Sequence, residues 1–198
     1  TRALSSAASD VYKRQLQIDG AEATAENVKS GTYKVARPFN IATKGEPTGV
    51  AKDFINYILS ADGQKIVSED YISISDDAAA FETDGSSGKI VVGGSSSVFL
   101  LMEKLAEGYE AINGAAEIEV QSSDSTAGMS GAADGTFDIG MASRALKDDE
   151  AAQLTGTVIA NDGIAVIVNN ENAISGLTSE QVQKIYTGEI TDWSEVAE

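Results

Sequence analysis

The ten residues Lys89-Ile-Val-Val-Gly-Gly-Ser-Ser-Ser-Val98 decide how this chain folds. Ile90 to Val92 is a β-branched apolar run without polar alternation, the pattern of a strand buried on both faces in a parallel sheet. Gly93-Gly94 ends the run. The serines then lead into Val98, Leu101, Met102, Leu105, Ala106 and Tyr109, whose spacing predicts an amphipathic helix stopping near Gly114. Ser95, Ser96 and Ser97 therefore stand at a strand-to-helix junction.

The same unit repeats downstream. Ile118 to Gln121 predicts a strand, and the polar loop Ser122 to Gly128 (SSDSTAG) enters a small-residue helix around Met129 to Ala133. Phe137 to Ala142 predicts a third strand, ending at Ser143-Arg144. Thr157 to Ala160 and Ile164 to Val168 read as two more strands around an Asn161-Asp-Gly163 turn, and Thr178 to Tyr186 as a capped helix before Gly188. Alternating strands and helices argue an α/β fold with a mainly parallel sheet flanked by helices.

Upstream, Gly31 to Pro38 (GTYKVARP) reads as a strand that ends at the proline. Val50, Phe54, Ile55, Ile58 and Leu59 predict a helix after Thr48 as N-cap, with a further helical stretch from Gln64 to Asp70 and a short strand at Tyr71 to Ile74. Asp76 to Gly88 (DDAAAFETDGSSG) breaks the composition: four acids, one large apolar residue, Phe81, and a Gly/Ser end. It reads as a linker, able to span about 40 Å when extended. Thr1 to Gln15 has no periodicity and reads as a tail outside the fold. Its Ser5 to Gln15 portion (SSAASDVYKRQ) resembles translated adaptor read-through at the edge of a reading frame.

Composition removes whole chemistries. The 198 residues contain no His and no Cys, so a Ser-His-Asp triad, a thiolate nucleophile, disulfides and the usual N/S metal sites are excluded. The 14 basic and 31 acidic residues give a net charge of −17, which disfavours nucleic acid and anionic membrane surfaces. No apolar run is long enough for a membrane span, and the N-terminus carries no export-signal pattern. No cofactor or metal is implied. Asp138 and Asp162 are weighed as bases of a carboxylate enzyme, but both have ordinary structural readings, as a strand-start residue and a turn residue. The linker acids Asp76, Asp77, Glu82 and Asp84 lack the spacing of a calcium loop.

One constellation remains. Three successive strand ends offer Ser95 to Ser97, then Ser125 and Thr126, then Ser143 and Arg144. Ligands of open α/β sheets bind beyond the carboxyl ends of the strands, and hydroxyls with helix N-termini suit a small tetrahedral oxyanion. No base or activated nucleophile accompanies them, so the pattern implies binding without turnover. The negative net charge does not forbid this, because scattered surface charge is screened within about 8 Å at physiological salt, while each charge-assisted hydrogen bond contributes roughly 1.5–3 kcal/mol.

The stretches KIVVGGSSSV from Lys89, QSSDSTAGM from Gln121, FDIGMASRALKDDE from Phe137, IANDGIAVIVNNEN from Ile159 and LTSEQVQKIYTGEITDW from Leu177 resemble the beginning of the phosphate-binding proteins of ABC import systems. GTYKVARPF from Gly31 and AKDFINYILSADGQKIV from Ala51 resemble that family's end, so the two pieces stand in permuted order. The resemblance implies a two-lobed periplasmic-binding-protein (Venus flytrap) fold, of which this chain holds one lobe. It further implies a return segment at 16–75, an acidic linker at 76–88, and a head at 89–198 with the second lobe starting at about 170–198, as at a junction of tandem modules. It implies phosphate contacts from Ser95, Ser96, Ser97, Val98, Ser125, Thr126, Ser143 and Arg144, with the Arg144 guanidinium paired bidentately to the anion.

Two departures from the family are visible. Phe99-Leu100 stands where members carry a proline. Arg144 follows the third-strand serine where some members carry an Asp that accepts the phosphate proton. By this resemblance the chain serves an extracytoplasmic importer, delivering inorganic phosphate to a membrane permease, with a lipid anchor in some parents. It is expected to bind weakly alone, as a monomer or a segment-exchanged dimer. The alternatives are an adhesion or interaction domain on the same fold, or another oxyanion. Tyr186 and Trp193 are expected to pack where the second lobe begins.

Overall fold

The computed structural model describes residues 12–196, and the chain divides into two units, one of residues up to Ala36 together with those from Asp162 onward, the other Arg37–Asn161. The first unit opens with strands β1 (Lys13–Gln15) and β2 (Gln17–Ile18) and helix α1 (Ala25–Lys29), whose N-cap Thr24 accepts from the Asn27 N–H. The expected tail is thus ordered at its last residues. Lys13 to Gln15 pair antiparallel with residues 167–169, and the Arg14 guanidinium donates to the carbonyls of Asn172 and Ile174. Three residues are too short to show a period, so only their distant partners could reveal them. The rest of that tail, residues 1–11, lies outside the described residues.

The larger unit holds a five-stranded sheet. It begins with β3 (Ala36–Thr43), α2 (Gly49–Leu59) and α3 (Ala61–Asp70), continues through β4 (Gly88–Ser95), α4 (Ser96–Ile112), β5 (Ala116–Ser123), α5 (Ser125–Asp134) and β6 (Ile139–Ala142), and closes with the short helix α6 (Asp148–Ala151) and β7 (Thr155–Gly163). The strand order is β5-β4-β6-β3-β7. Val92 on β4 faces Val120 and Ile139 in parallel register on its two sides, whereas β3 runs antiparallel to β6 with Ile41 opposite Met141. β3 comes from before the acidic stretch and lies between two strands that come from after it, so both segments close into one sheet within one chain.

Neighbouring residues of a strand face opposite ways, which sorts the core into two layers. Ile41 and Met141 join Phe54, Ile58, Leu101, Leu105 and Tyr109 under α2, α3 and α4, while Ala42 and Ala142 join Met129, Ala132 and Leu154 beneath α5. Burying each large apolar side chain of the first layer contributes about 1.5–3 kcal/mol.

Four local expectations are corrected. Pro38 does not end a strand. It lies inside β3 but before Asn40, where the register with β6 starts, so its missing N–H costs no bond there. The predicted strand at Tyr71 to Ile74 reduces to a single bridge between Ile72 and Asn161, and the turn expected at Asn161 to Gly163 is instead the end of β7, with the second expected strand confined to residues 167–169. Finally, the acidic stretch carries no regular element, yet it is docked onto the larger unit rather than loose. Phe81 stacks edge-on against Tyr57 and Tyr109 at 5.1 and 5.9 Å, and its N–H donates to Asp62. The buried Asp53 carboxylate accepts from the Thr83 and Tyr109 hydroxyls at 2.7 and 2.8 Å and from the Asp84 N–H. Burial, with Asp53 beside it, pushes the Tyr109 hydroxyl up to about 12.

The first unit resumes with β8 (Ile167–Asn169), β9 (Gly176–Leu177), which pairs in parallel with β2, and α7 (Ser179–Thr187). Thr178 and Gln181 form a capping box at the start of α7, and Gly188 ends it in the left-handed conformation, as the sequence predicts. Tyr186 is 81% exposed and Trp193 is 47% exposed. The whole stretch from Asp162, rather than from about 170, belongs to this unit, together with residues before Arg37.

Candidate oxyanion-binding site

Three strand ends of the larger unit converge because glycines let the backbones meet. A Cβ on Gly128 would stand 2.5 Å from the Met141 carbonyl and 2.8 Å from the Gly94 Cα, and one on Gly140 would stand 2.5 Å from the Gly128 carbonyl. Any side chain larger than hydrogen would push α5 away from β4 and β6. Gly94 also has φ +140°, a conformation that other residues rarely adopt.

This close approach brings the second and third loops together. The Ser125 hydroxyl accepts the Ser143 N–H at 3.1 Å and lies 3.5 Å from the Ser143 hydroxyl, and Arg144 Nη2 lies 3.5 Å from Thr126 Oγ1. Ser95 is the last residue of β4, opposite Ser123 of β5, and Gly94 is opposite Met141, two residues before Ser143. Ser95 and Val98 are buried, Ser97 is half-buried and Ser96 exposed.

The two helix starts differ. Ser95 is the N-cap of α4, and no side-chain hydrogen bond caps that helix. At α5 the N-cap is Asp124, whose Oδ1 accepts from the N–H groups of Thr126 and Ala127 at 2.8 and 3.0 Å. The sequence reading, which counts both helix N-termini as anion donors, is corrected here: those two α5 donors already serve a carboxylate.

Arg144 does not present a free fork either. Its Nη1 and Nη2 donate to Glu150 Oε2 and Oε1, both at 2.7 Å, and Nη1 also donates to the Ala145 carbonyl. The hydrogen bonds and charge of Arg144 hold the Glu150 carboxyl down to about 2, and Glu150 in turn raises the Arg144 guanidinium above its ordinary value. Asn40, buried on β3, donates to the Arg144 carbonyl at 2.9 Å and so ties the loop to the strand from before the acidic stretch.

Glu150, Asp124 and Asn40 were not among the residues singled out from the sequence. Glu150 stood in the acidic run Asp148 to Glu150, a helix-start pattern. Asp124 offered a real signal, an Asx residue immediately before a helix, which the reading of the loop as a hydroxyl donor obscured. Asp138, weighed as a base, instead braces the sheet: its carboxylate accepts the Val91 N–H at 2.8 Å, and its own N–H donates to the Val91 carbonyl. Asp162 lies near the end of β7. Among the described residues no cluster of three or more His, Cys, Asp or Glu could hold a metal ion, and no helix is long and apolar enough to cross a membrane.

Comparison with known proteins places the chain in a family. A family model described as a PBP superfamily domain matches residues 79–198. The chain is 49% identical over 185 residues to the phosphate-binding protein PstS 2 of Streptococcus agalactiae and 38% identical over 184 residues to that of Streptococcus pneumoniae, covering 92% of this chain in each case. It spans 63% of the length of these curated relatives. The crystal structure of a phosphate ABC transporter, phosphate-binding protein from Streptococcus pneumoniae TIGR4 superposes with a TM-score of 0.87 at 38% identity, covering 93% of this chain and 72% of that one. Alignments of this extent include residues on both sides of the acidic stretch.

Proposed function

Since the chain belongs to the PBP (periplasmic-binding-protein) superfamily, among the phosphate-binding proteins of phosphate ABC transporters, we propose that it binds inorganic phosphate outside the cytoplasmic membrane and delivers it to the permease of an ABC importer. The observation that carries the reading is the meeting of Ser125, Thr126, Ser143 and Arg144 at adjoining strand ends, in the same sheet as the start of α4. Ser96, Ser97 and the Val98 N–H supply donors from a helix start that no side chain caps. Ser125 and Ser143 supply hydroxyls, and Arg144 supplies the positive charge. A helix N-terminus adds a partial positive charge of about half a unit without a counter-ion.

The site is for binding rather than reaction, because a chain without His or Cys brings no ordinary proton shuttle to these hydroxyls. The extent of the alignments, together with β3 lying inside the sheet, supports reading residues 37–161 as one lobe of a single module.

Calorimetric titration of the chain with inorganic phosphate tests the proposal. Saturable binding is expected in the micromolar to millimolar range, about −8 to −4 kcal/mol. Arg144→Ala should weaken it about 100-fold, the worth of a lost charge-assisted pair. Absence of saturable heat from the chain would overturn the reading. Unchanged affinity in Arg144→Ala would move the site elsewhere.

A further inference from the structure

We propose that Glu150 is a positioning residue that aims one edge of the Arg144 guanidinium at the bound oxyanion. The inference rests on the phosphate-binding reading above. A guanidinium has five N–H donors arranged as two forks, an end-on fork of Nη1 and Nη2 and a side-on fork of Nε and Nη2. Glu150 occupies the end-on fork completely, with one carboxylate oxygen on each nitrogen at 2.7 Å. The Ala145 carbonyl takes the remaining Nη1 hydrogen at 3.0 Å. What remains is the side-on fork: Nε, and the outer hydrogen of Nη2, which is engaged only by a long 3.5 Å bond to the Thr126 hydroxyl that an anion can displace. The edge that can still form two parallel bonds to an anion is therefore the one beside the hydroxyl loop of α5.

Glu150 is itself anchored. Its Oε2 also accepts the Lys147 N–H at 2.8 Å, closing the first turn of α6, and its side chain is only 11% exposed. An unpaired arginine would sample many rotamers, each costing entropy to freeze on binding. Held by a carboxylate that is fixed to the backbone, Arg144 is ordered before the ligand arrives, and the ligand need not meet that cost. The arrangement follows the general pattern in which an outer partner orients a ligand-contacting group. The anion then meets an ion pair rather than a bare cation, so directed hydrogen bonds carry more of the recognition than net charge.

The decisive experiment is a double-mutant cycle read by calorimetric titration of the full chain with inorganic phosphate. Glu150→Ala should weaken binding about 10-fold or more in the unsubstituted background. In an Arg144→Lys background it should add less than about 2-fold, because an ammonium has no fork to aim. Equal losses in both backgrounds would show that Glu150 acts only by stabilising α6, and would overturn the proposal, as would unaltered affinity in Glu150→Ala. If Glu150→Ala does not fold, Glu150→Gln serves in the same cycle: it keeps the volume and one acceptor for the Lys147 N–H, and the same coupling to Arg144 is expected. Failure of the unsubstituted chain to bind phosphate would overturn the phosphate-binding reading and this inference together, whereas binding that is insensitive to Glu150 overturns this inference alone.

Discussion

Helices α4 and α5 leave neighbouring strands of one sheet through serine-rich junctions, yet their N-termini are finished in opposite ways. At α4 the cap residue Ser95 makes no side-chain bond to the helix, while at α5 Asp124 spends one carboxylate oxygen on two backbone donors. An uncapped start leaves donors and a partial positive charge for an incoming anion, whereas a start capped by a carboxylate is stable in itself and offers an anion little. Under the proposed function, α4 receives the ligand through its backbone. α5 holds its own position through Asp124 and, under the proposed function, contributes through hydroxyls.

The largest effect should come from forcing the two helix starts apart. In Gly128→Ala the new Cβ collides with backbone at Met141 and Gly94, so neither neighbour can yield by rotating a side chain. A loss of about 2–4 kcal/mol is expected in urea unfolding. Phosphate affinity should fall with it, because α5 carries Ser125 and Thr126. Stability close to the unsubstituted chain would mean that the close approach does not set the geometry.

Next in size is the Arg144–Glu150 pair, expected to contribute about 1–2 kcal/mol at neutral pH. Glu150 has its carboxyl depressed from 4.5 to about 2, so its stabilisation is fully present above the unfolded value and is lost as pH falls toward about 2. The stability difference between the chain and Glu150→Gln, followed by denaturant unfolding against pH, should be constant above about pH 5 and shrink steadily below it. The other charges around the pair, Lys147, Asp149 and Asp124, remain in both proteins and largely cancel in the difference. A difference that grows on acidification would contradict the assignment.

The cap comparison itself is sharpened by two smaller changes. Asp124→Ala removes a carboxylate cap and should cost about 1 kcal/mol of stability, with Asp124→Asn costing only a few tenths, since both Asp and Asn cap well. Ser96→Ala and Ser97→Ala remove no cap and should change stability by under about 0.5 kcal/mol. Each should nevertheless weaken phosphate binding about 3- to 10-fold, the worth of one hydrogen bond. Thermal melts and titrations on the same four proteins would show whether stability and binding separate between the helices. If Ser97→Ala destabilised as much as Asp124→Ala, the contrast would fail.

Legibility followed the range of the signal. β4 and α4 were readable because Ile90 to Val92 and the Val98 to Tyr109 stripe carry a complete local period within a few residues. The caps of α7 at Thr178 and Gly188 were readable for the same reason. The strand through Pro38 was misread because proline penalises a strand only where its N–H faces a partner, and that depends on register. The docking of Phe81, Thr83 and Asp84 could not be read from an acidic, Gly/Ser-ended stretch, since their partners Asp53, Tyr57 and Tyr109 lie on helices 24 to 31 residues away in sequence. The hydroxyls and Arg144 were visible as a set because their loops repeat. Glu150 was not, because an acid in a helix-start pattern looks the same whether it faces solvent or an arginine.

What the sequence determined by itself is which side chains stand where: no His and no Cys anywhere, and hydroxyls and one arginine after successive strands, the set on which the proposed oxyanion site rests. Its local periods also determined β4, α4 and α7. Only the tertiary structure decided that β3 lies between β6 and β7, that Asp124 fills the start of α5, and that Glu150 takes one fork of Arg144 and leaves the other. Those choices depend on register and on donors shared between distant residues, and a hydrogen-bonding group has no partner until the fold brings one within about 3 Å.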